Sequence, residues 1–447
     1  MKPLFESRAR SGRFVPAPAV LGVLLSLIGA SVSSAAPAAD PLAAVVCDPD
    51  NGGLKLPPGF CAVVVAREVG RARHMVVRPN GDLYVALDNA TDGTVTGGVL
   101  ALRDTNGDGR ADLQQRFGPT GGNGIAWDNN QLYFSPNDRV VRWTFAGDEL
   151  VPNGAPETVV SGLPSTGDHP RKTVLLDRAG RMFVNIGSRS NSCQADNRAP
   201  FSPGVDPCAE LEVRAGVWTF DTTRTNQAQA DGTRFATELR NMNALAINPV
   251  DRKLYGVQNG RDQLLENWFT LFDARDDARL PAEELFRIDQ GKAYGWPYCF
   301  FDGMRNRKVL APEYGGDGSL VGRCATRQLP VDDYPAHWAP LSMLFYTGGQ
   351  FPKQYQNGLF VAFHGSRFDT ALQPAGPGYV VTFTPWKQAR PIGRYKVFAD
   401  GFAGGTPTPT GAAHRAVGLA QAPDGSIYVS DDKAGWIWRI FYVGNRP

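Results

Sequence analysis

Apolar and polar residues alternate along this chain in short stretches, and each stretch is broken by a turn rich in Gly, Asn or Asp. The first copy is Met75-Val-Val-Arg-Pro-Asn-Gly-Asp-Leu-Tyr-Val85 and the second is Gly124-Ile-Ala-Trp-Asp-Asn-Asn-Gln-Leu-Tyr-Phe134. The others start at Val174, Ala244 and Gly418, with a weaker one around Tyr355-Gln-Asn-Gly-Leu-Phe-Val361. Period-two alternation on both sides of such a turn predicts a β-hairpin. A further alternating run follows several copies, such as Val99-Leu-Ala-Leu, Val140-Val-Arg-Trp, Gly216-Val-Trp-Thr-Phe, Tyr379-Val-Val-Thr-Phe and Trp436-Ile-Trp-Arg-Ile. About four strands per unit is the content of a propeller blade, so six copies predict an all-β, six-bladed β-propeller. The alternative reading of the same strands is a β-sandwich or two β domains. The longest interval, from Tyr255 to Tyr355, is expected to hold insertions.

Composition agrees with that reading. The chain has 447 residues, with 50 Gly and 34 Pro, which fits a turn-rich β-protein. Large all-β folds run long as one domain, so residues 39–447 are expected to form a single propeller. Residues 1–38 read as a signal peptide. Lys2, Arg8, Arg10 and Arg13 form a basic start, Ala19 to Val32 is apolar, and Ala35 or Ala38 offers a cleavage point. Cleavage removes these four cations and Glu6, a net +3, so the formal charge of +2 becomes about −1. That leaves no basic footprint for nucleic acid. No second long apolar run exists, so no membrane span is expected after cleavage. The mature protein is expected to be periplasmic or secreted.

Six cysteines follow the leader. Six allow about 15 connectivities, but their order points to three local pairs, Cys47–Cys61, Cys193–Cys208 and Cys299–Cys324. An oxidising compartment favours disulfides over free thiols. Cys-x-x-Cys-His is absent, which excludes covalent haem on this chain.

Several motifs carry candidate chemistry. Asp104-Thr-Asn-Gly-Asp-Gly-Arg-Ala-Asp112 places side-chain oxygens of Asp104, Asn106, Asp108 and Asp112 in one tight loop, and Arg110 can add a carbonyl. Calcium wants several hard oxygens so spaced. The EF-hand's glutamate at position 12 is replaced by Gln115, so the expectation is a structural calcium loop joining strands; the alternative is a metal-free turn. Gly167-Asp168-His169-Pro-Arg171-Lys172 precedes the third copy, where a neutral imidazole at the channel mouth suits a general base. Arg240-Asn241 precedes the fourth copy, His364-Gly-Ser-Arg367 follows the fifth and His414-Arg415 precedes the sixth. Cations repeated at this position of successive blades would converge on one mouth and imply an anionic ligand, because clustered like charges are costly unless compensated.

Several stretches are similar to the soluble PQQ-dependent glucose/sorbosone dehydrogenase family. They are Leu56-Pro-Pro-Gly-Phe60, the His169 segment through Asn185-Ile-Gly-Ser188, Arg240-Asn241, Gln258-Asn-Gly-Arg-Asp262, Ala293-Tyr-Gly-Trp-Pro297, Ala339-Pro-Leu, His364-Gly-Ser and Ala422-Pro-Asp-Gly-Ser-Ile-Tyr-Val-Ser-Asp431. The match runs in order along nearly the whole mature chain. The resemblance implies a six-bladed propeller with PQQ and calcium at the channel mouth. It implies His169 as catalytic base and Arg240 with Asn241 as the pair polarising the cofactor. It implies Arg367 and Arg415 near the PQQ carboxylates beside His364, and the carbonyls of Asn259 and Gly260 on the cofactor's calcium. The partners implied are a small sugar and an external electron acceptor such as a cytochrome or quinone. Lys172, Gln258 and Arg367-Phe368 depart from the family's usual residues. Two rival functions fit a propeller: a calcium-dependent lactonase, and a non-catalytic binder of glycan or protein.

Overall fold

The computed structural model describes Pro16 and residues 45–444. The proposed signal peptide therefore lies outside the described residues. Six mainly antiparallel sheets carry the fold, two of them with a short parallel strand at the edge, and each begins with a strand at the central channel. These inner strands are Arg71–Val77, Gly124–Asp128, Val174–Leu176, Ala244–Ile247, Pro340–Phe345 and Ala416–Gln421. Each pairs with the next strand in a hairpin, as the alternation predicts. The ring closes through strand Phe60–Ala66, which completes the sixth blade beside Ile437–Tyr442, with Phe60 opposite Tyr442 and Val64 opposite Trp438. Pairing the two ends of the fold in one sheet removes the open edge that a linear array would expose.

Blade 5 differs from the expected hairpin. Its inner strand is Pro340–Phe345 and the Tyr355–Val361 copy contains only its second strand, Leu359–Phe363. The Tyr255–Tyr355 interval does hold insertions: helices Leu264–Trp268 and Ala274–Arg279, and the hairpin Cys299–Asp302 with Arg307–Leu310. All three local disulfides form, Cys47–Cys61, Cys193–Cys208 and Cys299–Cys324. Aromatic residues fill the space between blades. Between blades 5 and 6, Phe60 packs edge-on against Phe351, Tyr355 and Phe398 at 4.8–5.3 Å. Truncating such a ring costs about 3–5 kcal/mol, so this seam anchors the closure.

The topology sets one rule for placing chemistry. An inner strand and its hairpin partner meet the same end of the channel, so residues just before an inner strand and just after a second strand share one mouth. Three inner strands are bulged there. The register shifts between Ala72 and Met75, between Pro340 and Ser342, and between Ala416 and Leu419. A bulge turns a side chain out of its alternation, and here bulges fall where the chain enters the channel. The far end of the channel opens into a separate cavity of about 600 Å³.

Candidate functional site

His169, Arg240, Asn241 and Arg415 each precede an inner strand, and Asn259, His364 and Asp432 each follow a second strand. The rule thus gathers them at one mouth. Arg71, Arg73, Asp168, His169, Asn241 and His364 are among the residues lining a cavity of about 200 Å³ there.

Ser188 organises the His169 side of that cavity. Its hydroxyl donates to the Ser190 carbonyl at 2.7 Å, so the same oxygen accepts from His169 Nδ1 at 2.9 Å, beside the Ser188 carbonyl at 3.1 Å. His169 therefore carries its proton on Nδ1, and Nε2 has a bare lone pair with no hydrogen-bond partner among the described residues. Burial, then the charge of Arg240, pushes its pKa well below the usual histidine value and keeps the ring neutral. The Ser188 N–H donates to the Arg240 carbonyl, so one residue registers the imidazole against the arginine. Gly187 is required beside them, because a Cβ would lie 2.6 Å from that of His169.

Arg240 is buried. Nε donates to the Asn191 carbonyl at 3.0 Å, Nη2 to Asn191 Oδ1 and Asp262, and Nη1 to the Asn259 carbonyl at 3.3 Å. Four of its five donors are engaged, which leaves one Nη1–H free. Its own N–H donates to Gln258 Oε1, and Gln258 in turn donates to Glu284. A glutamate at 258 would instead set two buried carboxylates together, which accounts for the amide here. Asp262 takes charge from three sides, Arg240 at 3.3 Å, His337 at 3.3 Å and Arg198 at 3.7 Å. Against burial, the His337 hydrogen bond and these charges hold Asp262 well below the usual carboxylate range.

His337 was not among the residues singled out from the sequence. Its Nδ1 faces Asp262 and its Nε2 faces the carbonyls of Asp277 and Leu280 at 2.7 and 3.1 Å. Both nitrogens face acceptors, so both carry protons and the ring is cationic. Burial opposes that charge, but Asp262 outweighs it and raises the pKa. At φ 62° its backbone is left-handed, a strained conformation typical of functional sites. His337 lies three residues before the inner strand of blade 5, the usual place for mouth residues. The weak periodicity that put blade 5 too late in the chain concealed it. Arg71 and Arg73 escaped in the same way, because the bulge at Arg73–His74 breaks the alternation at its start.

On the opposite wall, His364 Nε2 donates to Asp432 at 2.7 Å, and Asp432 also pairs with Arg73 at 2.6 Å. Burial lowers the His364 pKa more than Asp432 raises it. Arg415 donates through Nε to the His364 carbonyl at 2.8 Å and through Nη2 to that of Gly365 at 3.1 Å. No carboxylate among the described residues lies within ion-pair distance of its guanidinium. Asn241 makes no side-chain hydrogen bond among the described residues.

Other expected site residues lie differently. Arg367 is tied to Glu266 at 2.9 Å and Asp277 at 2.7 Å on the inserted helices, so its charge is already compensated. Lys172, two residues past Pro170, does not line the cavity with Asp168, His169 and Arg171. It is buried, its ammonium hydrogen-bonded to the carbonyls of Pro164 and Pro170, and burial lowers its pKa to about 7. Asn259 and Gly260 follow the second strand of blade 4. The Asn259 carbonyl accepts from Arg240, that of Gly260 accepts no hydrogen bond among the described residues, and Glu283 accepts from the Gly260 N–H. The Asp104–Asp112 loop joins strands Gly98–Arg103 and Leu113–Phe117 at the end of blade 1 where Val77 pairs with Leu83, away from Arg71. Asp104 accepts from the N–H groups of Gly107 and Gly109, Asp108 from that of Arg110, and Asp112 from Thr105, while Arg110 reaches the Val64 carbonyl. Asn106 donates to Asp108. Among the described residues no three acidic, histidine or cysteine side chains converge in a metal-holding group.

The donors at the mouth fit a rigid polycarboxylate such as PQQ: a guanidinium without a counter-ion, a free Asn241 amide and one free Arg240 N–H. The Gly260 carbonyl, together with that of Asn259, fits part of a calcium shell.

A family model described as TrAA12-like matches residues 54–442. An uncharacterized protein of Borreliella burgdorferi is 31% identical over 330 residues, covering 71% of this chain and 75% of that protein. Among solved structures, the holo pyranose dehydrogenase PQQ domain of Coprinopsis cinerea is 18% identical with a TM-score of 0.68, covering 87% of this chain and 97% of that one. The calcium structure of a Trichoderma reesei carbohydrate-active enzyme of family AA12 is 18% identical with a TM-score of 0.70, covering 87% and 97%. The PQQ-bound aldose sugar dehydrogenase of Streptomyces coelicolor is 15% identical with a TM-score of 0.52, covering 87% and 99%. At these identities the structures establish the shared propeller.

Proposed function

This chain belongs to the TrAA12-like family of soluble PQQ-dependent sugar dehydrogenases, and from that we propose that it oxidises an aldose or related sugar aldehyde to its lactone or acid. The observation that supports this reading is the meeting of a bare, neutral imidazole nitrogen on His169 with the guanidinium groups of Arg240 and Arg415 at one mouth. His169 Nε2 takes the proton of the sugar hydroxyl, and its Ser188 contacts keep the accepting lone pair toward the cavity. PQQ, when bound, supplies the two-electron acceptor for the hydride from the sugar carbon, with calcium as a positive charge beside it. Arg240 directs its free N–H toward negative charge that grows during that transfer, and Asp262 and Asn191 hold its plane still. Asn241 orients the cofactor. Arg415 offsets the desolvation of a cofactor carboxylate, with His364 as its neighbour. Arg367 acts at longer range, by holding the inserted helices against the mouth. The carbonyls of Asn259 and Gly260 hold the cofactor's calcium, and the Asp104–Asp112 loop holds a second, structural calcium.

Electrons leave to an external acceptor, a cytochrome or quinone. Residues 1–38 direct export, and residues 39–447 act as a single domain in the periplasm or outside the cell. No helix among the described residues is long and apolar enough to cross a membrane. Purified protein reconstituted with PQQ and calcium should show the absorbance change of cofactor reduction on mixing with an aldose. Tight PQQ binding with no reduction by any member of an aldose panel would favour a binding propeller. Hydrolysis of lactones without PQQ would favour the lactonase.

A further inference from the structure

One wall of the mouth carries more positive charge than its own carboxylates compensate. Arg71, Arg73 and Arg171 all line the 200 Å³ cavity with His169. Arg171 is held by Asp88 through two hydrogen bonds of 2.9 and 2.6 Å. Arg73 is buried and held by Asp432 and Asn123. Asp432 is shared further with His364. Three guanidinium groups thus face two carboxylates, Asp88 and Asp432, an excess of one charge (3 − 2). Asp168, also on the cavity, is already engaged by Arg198 at 2.9 Å.

Arg71 is the cation left over. Its nearest carboxylate oxygen is 3.9 Å away on Asp432, and its side chain makes no hydrogen bond among the described residues. It is 26% exposed, so most of it is out of water while all five N–H donors remain unmatched. Arg73 feels this crowding: burial first, and then the charge of Arg171, lowers its pKa to about 10. A neutral sugar offers Arg71 no counter-ion, whereas a planar anion taken by its fork would supply one and meet its donors in pairs.

We infer that the substrate of this site is a sugar bearing a carboxylate, a uronic acid, whose acid group is bound by Arg71 while its reacting carbon faces His169. This rests on the proposed oxidation of a sugar at that histidine. Arg171 uses only Nε and Nη2 on Asp88, so its Nη1 N–H groups are left for a ring hydroxyl.

Calorimetry on the cofactor-free protein should find glucuronate or galacturonate bound about ten- to hundredfold tighter than glucose or galactose, the span of one to two charge-assisted hydrogen bonds. The preference should shrink with added salt. With PQQ and calcium, the ratio of kcat/KM for the uronate to that for its neutral parent should exceed one by a similar factor. Arg71→Ala should bring that ratio close to one, Arg71→Lys should restore part of it, and neither should weaken PQQ affinity measured by titration. Equal binding of acidic and neutral sugars would overturn the inference, as would a loss of PQQ affinity in Arg71→Ala that matches the loss of uronate binding. If the loaded protein oxidises no sugar, the dehydrogenase reading fails, while the calorimetry on wild-type protein still decides whether the mouth prefers acids.

Discussion

The channel mouth and the Asp104–Asp112 loop are both crowded with polar residues, yet they differ in what they leave unmet. In the loop, N–H groups and carboxylates satisfy each other: Asp104, Asp108 and Asp112 all accept bonds from the loop itself. At the mouth, the side chains of Arg71 and Asn241 and the Nε2 of His169 have no hydrogen-bond partner among the described residues, and Arg415 has no counter-ion there. Buried or half-buried polar groups are normally paired, so unmet capacity marks the place where a ligand belongs. The loop's carboxylates keep lone pairs that an ion can use, but such an ion would act on local stability and not on chemistry.

The largest expected effect tests the mouth's base. His169→Ala should slow PQQ reduction by sugar about 10²–10⁴-fold while PQQ still binds; turnover near that of the wild type would remove His169 from the chemistry. The two arginines come next. Arg240→Ala should stay about a hundredfold slow even at saturating PQQ, because it acts on charge that develops in the transition state. Arg415→Ala should lose mainly affinity and recover its rate with excess PQQ. Equal rescue of both variants would erase the distinction between a guanidinium paired with a carboxylate and one without a counter-ion.

A pH profile gives a smaller but cleaner signal. Only neutral His169 accepts a proton, and its pKa is depressed by burial and Arg240. The acid limb of kcat/KM should therefore fall well below pH 6.5, with activity retained through the range where an ordinary histidine is half protonated. An acid limb at the ordinary value would mean that the ring is more solvated than its surroundings indicate. The smallest effect belongs to the loop. At a calcium concentration about a hundred times its Kd, binding to the folded state adds about 2.7 kcal/mol, so chelation should lower Tm by a few degrees and Asp108→Ala should blunt that response. Activity measured with PQQ in excess should be far less sensitive to Asp108→Ala than to either arginine substitution; a comparable loss would join the two regions functionally.

Much of this was legible in the chain because local patterns encode local structure. Hairpin periodicity located five of the six inner strands, and cysteine order matched all three disulfides. Blade 5 was misplaced because its hairpin partners, Pro340–Phe345 and Leu359–Phe363, are separated by a long turn. His337 went unnoticed with it. Arg367 resembled a mouth cation by its position after a second strand, yet Glu266 and Asp277 reach it from an insertion that no periodicity describes.

What the sequence determined by itself was the alternation that makes blades, the turns that end them and the residue types available at each blade's entrance. Closure of the ring decided the rest. Arg71 and Asp432 are hundreds of residues apart, and only the pairing of Phe60–Ala66 with Ile437–Tyr442 makes blades 1 and 6 neighbours. Whether a guanidinium is compensated or left for a ligand depends on Coulomb distances across that ring, and no stretch of linear sequence contains them.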